Sequence, residues 1–201
     1  MILDHLVVGA TTLAEAQAYI EDKLGVAMQP GGQHAIFHTH NTLLGLEDGL
    51  YLEAIATDPD APVPVRPRWY DLDRFSGPAR LSNWAASVED MESKLAQMPQ
   101  GCGAPVDVAR GDLRWRMAVS PDGTTPFDNL WPALISWPKG MHPAARLTPT
   151  GLRLTRFTLI HPDAALAATL AEHIVDPRIS VEVGPAAMQA EFDTPHGPRV
   201  L

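Results

Sequence analysis

Glu53 stands in the middle of GLYLEAIA, Gly49–Ala56, a run with the alternation of a short β-strand. Leu50, Leu52, Ala54 and Ala56 share one face, and Tyr51, Glu53 and Ile55 share the other. Both faces are largely apolar, so the strand is expected to be covered on both sides. A carboxylate in such a place must gain a cation or hydrogen bonds, or else serve as a general base with a raised pKa. Other residues with usable chemistry lie nearby. His40 and Asn41 are adjacent in THNTLL, and strand alternation lets only one of them face a pocket and donate to a substrate oxygen. Arg114 and Arg116 share a face of LRWRMAV, opposite Trp115. Arg116 can grip a substrate carboxylate or phosphate in bidentate fashion, or form a structural ion pair with one of the 24 acidic residues. Trp84 and Trp137 either line an aromatic pocket wall or pack in the core. His34 and His38 are expected in a loop or on the surface, while His142 and His161, each before a proline, read as strand or loop terminators.

Several chemistries have no support. No Gly-x-Ser-x-Gly elbow and no cysteine with an evident histidine partner is present. Phosphate-loop and dinucleotide fingerprints are also missing. A net charge of -9 argues against broad nucleic-acid binding. No segment approaches the roughly 18 apolar residues of a membrane span. The start, MILDHLVVGA, enters a strand-like pattern without a basic region, which argues against a secretory leader. One cysteine, Cys102 in a GCGAP loop, excludes an internal disulfide and fits a reducing cytoplasm.

The chain of 201 residues, 45% hydrophobic and 19% charged, can bury a sizeable core. ILDHLVVGA reads as a strand. The helix TTLAEAQAYIEDKLG follows, with Thr12 and Glu15 at capping-box spacing, Leu13, Ala16, Ile20 and Leu24 on one face and Gly25 as the stop. PGGQHAIFH reads as loop leading to strand, and strands over NTLLGLEDG and LYLEAIA complete a β-α-β-β-β order. A proline-rich segment, 61–78, reads as a linker with one helical turn near WYDLDRF. The same order then returns: strand ARLSNWAAS, helix VEDMESKLAQM, and strands APVDVAR, LRWRMAVSP and NLWPALISWP. LDHLVVGATTLAEA aligns without a gap on LSNWAASVEDMESK, which places His5 on Asn83; at the far end YLEAI over LISWP sets Glu53 opposite Ser136. The expected architecture is α+β: paired βαβββ modules at 1–60 and 79–140, with an additional C-terminal βαββ unit over 141–201, all in one compact domain.

This pattern resembles the vicinal oxygen chelate superfamily (glyoxalases, extradiol dioxygenases and antibiotic-resistance binding proteins), and within it the glyoxalase-like domain branch. The resemblance is carried by LDHLVVG (3–9), residues 31–59 with THNTLL and YLEAIA, ISWPKGMHP (135–143) and LIHPD (159–163). It implies that the paired modules curl into a half-open barrel around a small, oxygenated molecule. Its ligand positions fall on His5, Glu53, Asn83 and Ser136. His5 and Glu53 suit a divalent Zn, Fe, Mn or Ni ion, which would act as a Lewis acid in a lyase, isomerase or dioxygenase. Asn83 and Ser136 depart from the pattern, and His40 is a further candidate ligand. Without a metal, Glu53 hydrogen-bonds His5 or acts as a base. The site residues expected on these grounds are therefore Glu53, His5 and His40 for catalysis and Asn41, Asn83, Arg116 and Trp137 for substrate. A non-catalytic binder of the same fold is the alternative. Members often dimerise, so a homodimer is expected.

Overall fold

The computed structural model describes residues 1–201. Strand β1 (Ile2–Gly9) leads into helix α1 (Leu13–Leu24), and β2 (Gln29–His34), β3 (Thr39–Gly45) and β4 (Tyr51–Thr57) follow. The helix begins where the sequence places it. The Thr12 hydroxyl accepts from the Glu15 backbone N–H at 3.2 Å, and the Glu15 carboxylate accepts from the Thr12 N–H at 3.0 Å. Gly25, at φ 71°, supplies the left-handed cap that ends it. Ala16, Ile20 and Leu24 are buried against the sheet.

A second series repeats the order: β5 (Arg80–Ser87), α2 (Met91–Leu95), β6 (Ala104–Arg110), β7 (Leu113–Val119) and β8 (Ala133–Ser136). Together the two series build one eight-stranded sheet of order β2-β3-β4-β1-β5-β8-β7-β6. The pairing of β1 with β5 is antiparallel and nearly self-symmetric. Leu6 lies opposite Trp84, His5 opposite Ala85, and Val7 opposite Asn83. Exchanging the strands by the gapless alignment turns the second of these pairs into the third, so His5 and Asn83 are equivalent about an axis between Leu6 and Trp84.

The same logic corrects the far end of the alignment. Val7 pairs with Glu53 on β4, while Ala85, its equivalent, pairs with Ala133 on β8. Ala133 and not Ser136 therefore occupies the place of Glu53. The three-residue error arose because β8 is short and the loop before it is long, so residue spacing from the strand ends misled.

The sheet curls until its edge strands meet: a Cβ on Gly32 of β2 would lie 2.9 Å from the Arg110 side chain of β6. Its concave face carries Val7, Ile55, Ala85, Trp115, Met117, Ala133 and Ile135. Trp69 and Tyr70, from the proline-rich segment, are buried among them. The opposite face holds the larger core, with Leu6, Leu52, Trp84 and Trp131 packed beneath α1 and the C-terminal unit. That unit comprises β9 (Arg153–His161), α3 (Ala165–Ala171), β10 (Ile179–Val183), β11 (Ala187–Thr194) and β12 (Gly197–Val200), in a four-stranded sheet of order β10-β9-β11-β12. Its connection differs from the paired modules. There the last strand returns parallel to the first; here the strand after the helix does so.

Candidate functional site

Four strands of the first module converge on a narrow cavity inside the curl. β1 contributes His5, β4 contributes Tyr51 and Glu53, β3 contributes Asn41 and Leu43, and β2 contributes His34. The second module supplies the facing wall of Arg110, Trp115, Met117, Ile135 and Trp137, and Trp69 and Tyr70 cover it. Its volume is small, about 20 Å³. The cavity is a slot, polar on the module-one side and aromatic on the other.

His5 and Glu53 are 2% and 5% exposed, so neither can be solvated and both must be satisfied internally. The His5 Nδ1–H donates to Asp4 Oδ1 at 2.7 Å, and its Nε2 lies 3.2 Å from the Tyr70 hydroxyl and 3.5 Å from Glu53 Oε2. Tyr51 stacks on the imidazole, with ring centres 4.4 Å apart. Asp4 would face the other way from His5 in a regular strand. The register of β1 against β5 slips between Leu3 and His5, and this bulge turns both side chains inward. The other Asp4 oxygen accepts from Trp137 Nε1 at 3.1 Å and from His142 Nε2 at 3.2 Å. Glu53 Oε1 accepts from the Asn41 amide. Asn41 is held in turn, since its oxygen accepts from the Gly32 N–H at 3.0 Å and from Arg110 Nη1 at 2.6 Å. Gly31 makes this possible: a Cβ there would lie 2.2 Å from the Asn41 oxygen.

The charges follow from these contacts. Burial alone pushes Asp4 up, but hydrogen bonds from His142 and His5 outweigh it and hold the carboxyl at about 2. Burial pushes His5 down, and its bonds to Asp4 and Glu53 reverse that, raising it to about 9. At neutral pH His5 is an imidazolium between two carboxylates. Glu53 lies below the usual carboxylate range: burial favours the acid, and His5 together with Asn41 favours the anion more. Of the two metal-free alternatives for Glu53, the contact with His5 is present and the raised pKa is not, because its strand-buried position comes with a cation beside it. His34 is not a surface residue. It is buried in β2 with Nδ1 2.9 Å from the Thr39 hydroxyl, and burial lowers it to about 4, so it is neutral. Burial raises Tyr51 and Tyr70 well above the usual phenol range.

The cavity thus brings together His5, Glu53, Asn41 and Trp137 of the expected residues. Three others lie elsewhere. His40 is next to Asn41 and, by strand alternation, points away from the slot. Arg116 is on the outer face, 41% exposed, bonded to Glu92 at 2.6 Å and near Asp107. Asn83, with its amide nitrogen turned toward them, donates to the Ser82 carbonyl at 2.8 Å and the Tyr70 carbonyl at 3.2 Å, which anchors the Tyr70 turn. Trp84 is core, donating to the Leu130 carbonyl at 2.7 Å. The sequence reading missed Asp4, Tyr51, Tyr70 and Arg110 as site residues. Asp4 needs the bulge, Tyr70 the folding-in of a proline-rich segment, and Arg110 the meeting of the sheet edges. Only Tyr51, two residues from Glu53 on the same face, carried a usable signal.

A family model of the glyoxalase-like domain matches residues 3–175. No curated protein matches the chain in sequence. Among solved structures, a hypothetical protein from Staphylococcus aureus is similar with a TM-score of 0.61 at 12% identity, covering 93% of this chain and 88% of that one. A methylmalonyl-CoA epimerase from Streptomyces coelicolor, solved in complex with 2-nitronate-propionyl-CoA, gives a TM-score of 0.46 at 11% identity over 71% of this chain and 97% of that one. The epimerase from Mycobacterium tuberculosis gives 0.41 at 17% identity, covering 68% and 87%. These likenesses are of fold alone.

Many proteins of this fold hold a divalent metal, so the donor set is the test. Two strong donors, His5 Nε2 and Glu53 Oε2, face each other. The equivalent places in the second module hold Asn83, whose amide is engaged with backbone carbonyls, and Ala133, which has no donor. No three His, Cys, Asp or Glu side chains gather around one point. The residues present fall short of a tight Zn, Fe, Mn or Ni site.

Proposed function

The chain belongs to the glyoxalase-like domain family, and on that premise we propose that its cavity performs proton transfer on a small oxygenated molecule with its own side chains, as an isomerase. The observation that carries this reading is the buried Asp4–His5–Glu53 array, with Tyr70, on the wall of an otherwise aromatic slot. Glu53 is ionised at neutral pH and is the base, removing a proton from carbon beside a substrate carbonyl or carboxyl group. His5, an imidazolium fixed by Asp4, donates Nε2–H toward the oxygen on which charge develops. Entry of that oxygen draws His5 away from Glu53. The carboxylate then keeps its burial but loses part of what stabilises its charge, so its basicity rises when it is needed. The proton returns from Glu53 to carbon, and nothing is oxidised.

The test is exchange of carbon-bound hydrogen for solvent deuterium, followed by proton NMR across small hydroxy and oxo compounds with chelator-treated protein. The expected result is chelator-insensitive exchange that falls about 100-fold or more in Glu53→Gln. Exchange that appears only with an added divalent ion would contradict the reading, and so would undiminished exchange in Glu53→Gln.

A further inference from the structure

Arg110 ends β6, where the two edges of the curled sheet meet, and it lines the cavity from the module-two side. One of its N–H groups is used, by the Asn41 oxygen at 2.6 Å. No carboxylate of the chain pairs with it, whereas Arg116, Arg146 and Arg178 have Glu92, Asp112 and Asp176 within 2.6–2.8 Å. Nor does it lie over an aromatic ring, as Arg66 and Arg80 do. A half-buried guanidinium with most donors unspent is an incomplete arrangement in a slot that otherwise satisfies its charges. Its placement is built: Gly32 leaves the room its side chain fills, and Asn41 fixes the fork. Trp69, which also lines the cavity, is 3% exposed and its indole N–H has no acceptor. The unspent guanidinium donors of Arg110 call for ligand oxygens.

We infer that Arg110 recognises a carboxylate on the substrate, which restricts the substrate class to small oxygenated carboxylic acids. The inference rests on the proton-transfer reading of the same cavity. Geometry favours a carboxylate over a phosphate, because the slot is narrow and a planar anion matches a planar fork. The carboxylate lies on Arg110, and the adjacent oxygen-bearing carbon is thereby placed toward His5 and Glu53, to which Arg110 is tied through Asn41.

Direct binding tests this. Trp69, Trp115 and Trp137 line the cavity, so tryptophan fluorescence and thermal shift report occupancy of the full chain. The probes are glycolate, lactate and pyruvate, with lactamide, propane-1,2-diol and inorganic phosphate as controls, at millimolar concentration. The expected result is that one or more carboxylates bind and the neutral compounds do not. Arg110→Met then weakens the carboxylate about 10- to 100-fold, and Arg110→Lys weakens it less. Circular dichroism checks that each variant is folded; because Arg110→Lys keeps the charge, loss of selectivity is readable even where Arg110→Met is unstable. Glu53→Gln separates the two readings, since it lowers exchange about 100-fold or more and leaves Arg110-dependent carboxylate binding in place. Equal binding of lactate and lactamide overturns the inference. So does wild-type carboxylate affinity in Arg110→Met, Arg110-dependent binding of phosphate alone, or no carboxylate binding across the panel.

Discussion

The two modules share a backbone plan and differ at the places that matter chemically. His5 and Glu53 in the first become Asn83 and Ala133 in the second. One half of the duplicated sheet concentrates buried charge, with Asp4 held low and His5 held high. The other half presents Trp115, Met117, Ile135 and Trp137. A symmetric pair of modules could hold a metal between four equivalent donors. An asymmetric pair makes a polar pole facing a largely apolar wall whose one charged group is Arg110, and in that setting a carboxylate must be neutralised by a neighbouring side chain. Glu53 is tolerated because His5 supplies its cation.

The largest effect should come from breaking the pole. His5→Ala leaves Asp4 and Glu53 as buried charges without their cation and should cost about 3–5 kcal/mol in urea unfolding. The matching change in the second module, Asn83→Ala, removes neutral hydrogen bonds and should cost about 1–2 kcal/mol. Equal costs would mean that the modules are not as different as their side chains imply. Next in size is the attempt to restore symmetry. Ala133→Glu buries an unpaired carboxylate and should cost several kcal/mol, roughly 3. Adding Asn83→His to the same chain should return about 1 kcal/mol or more of that loss, measured as a double-mutant coupling.

A smaller, graded effect is expected with pH. His5 is raised from 6.5 to about 9, so its contribution is complete below 6.5 and is lost as pH rises through about 9. Asp4 is depressed from 3.8 to about 2, so its contribution is complete above 3.8 and is lost as pH falls toward 2. His34 is depressed from 6.5 to about 4 because burial favours its neutral form; its contribution is present above 6.5 and is lost as pH falls toward 4. Stability should therefore peak near pH 6.5 and fall on both sides. The fall between pH 6.5 and about 9 belongs to His5 and should vanish in His5→Gln, while His34→Gln should flatten the change between about pH 4 and 6.5. Arg116→Ala, on the exposed outer face, should leave unfolding, pH profile and carboxylate binding all unchanged.

The parts of the fold governed by local rules could be read from residues alone. The Thr12–Glu15 cap, the Gly25 stop and the His5–Asn83 alignment all follow from spacing along one element. Glu53 stood out because a lone carboxylate breaks an apolar alternation. What could not be read is whatever depends on three-dimensional closure. The bulge at Leu3/His5 turns Asp4 inward against the alternation rule, and nothing in LDHL announces it. Tyr70 reaches His5 across 65 residues from the helical turn that WYDLDRF suggests, which is present at Trp69–Asp71, but nothing in its linker-like surroundings places that turn in the cavity. Arg110 meets Asn41 because two sheet edges curl together. Arg116 shows the converse. Its chemistry was right for anion binding, but its strand face points outward to Glu92.

The proposed chemistry turns on the protonation state of His5. A pH titration of His5 by nitrogen-15 and carbon-13 NMR, on chelator-treated protein with His5→Gln used for assignment, tests it most directly. The predicted result is an imidazolium carrying protons on both nitrogens at pH 7, with a midpoint near 9 that added zinc does not move. A neutral imidazole at pH 7 with a midpoint near 6.5, or one whose Nε2 signal shifts with one equivalent of zinc, would contradict the metal-free charged pair on which the proposed chemistry depends.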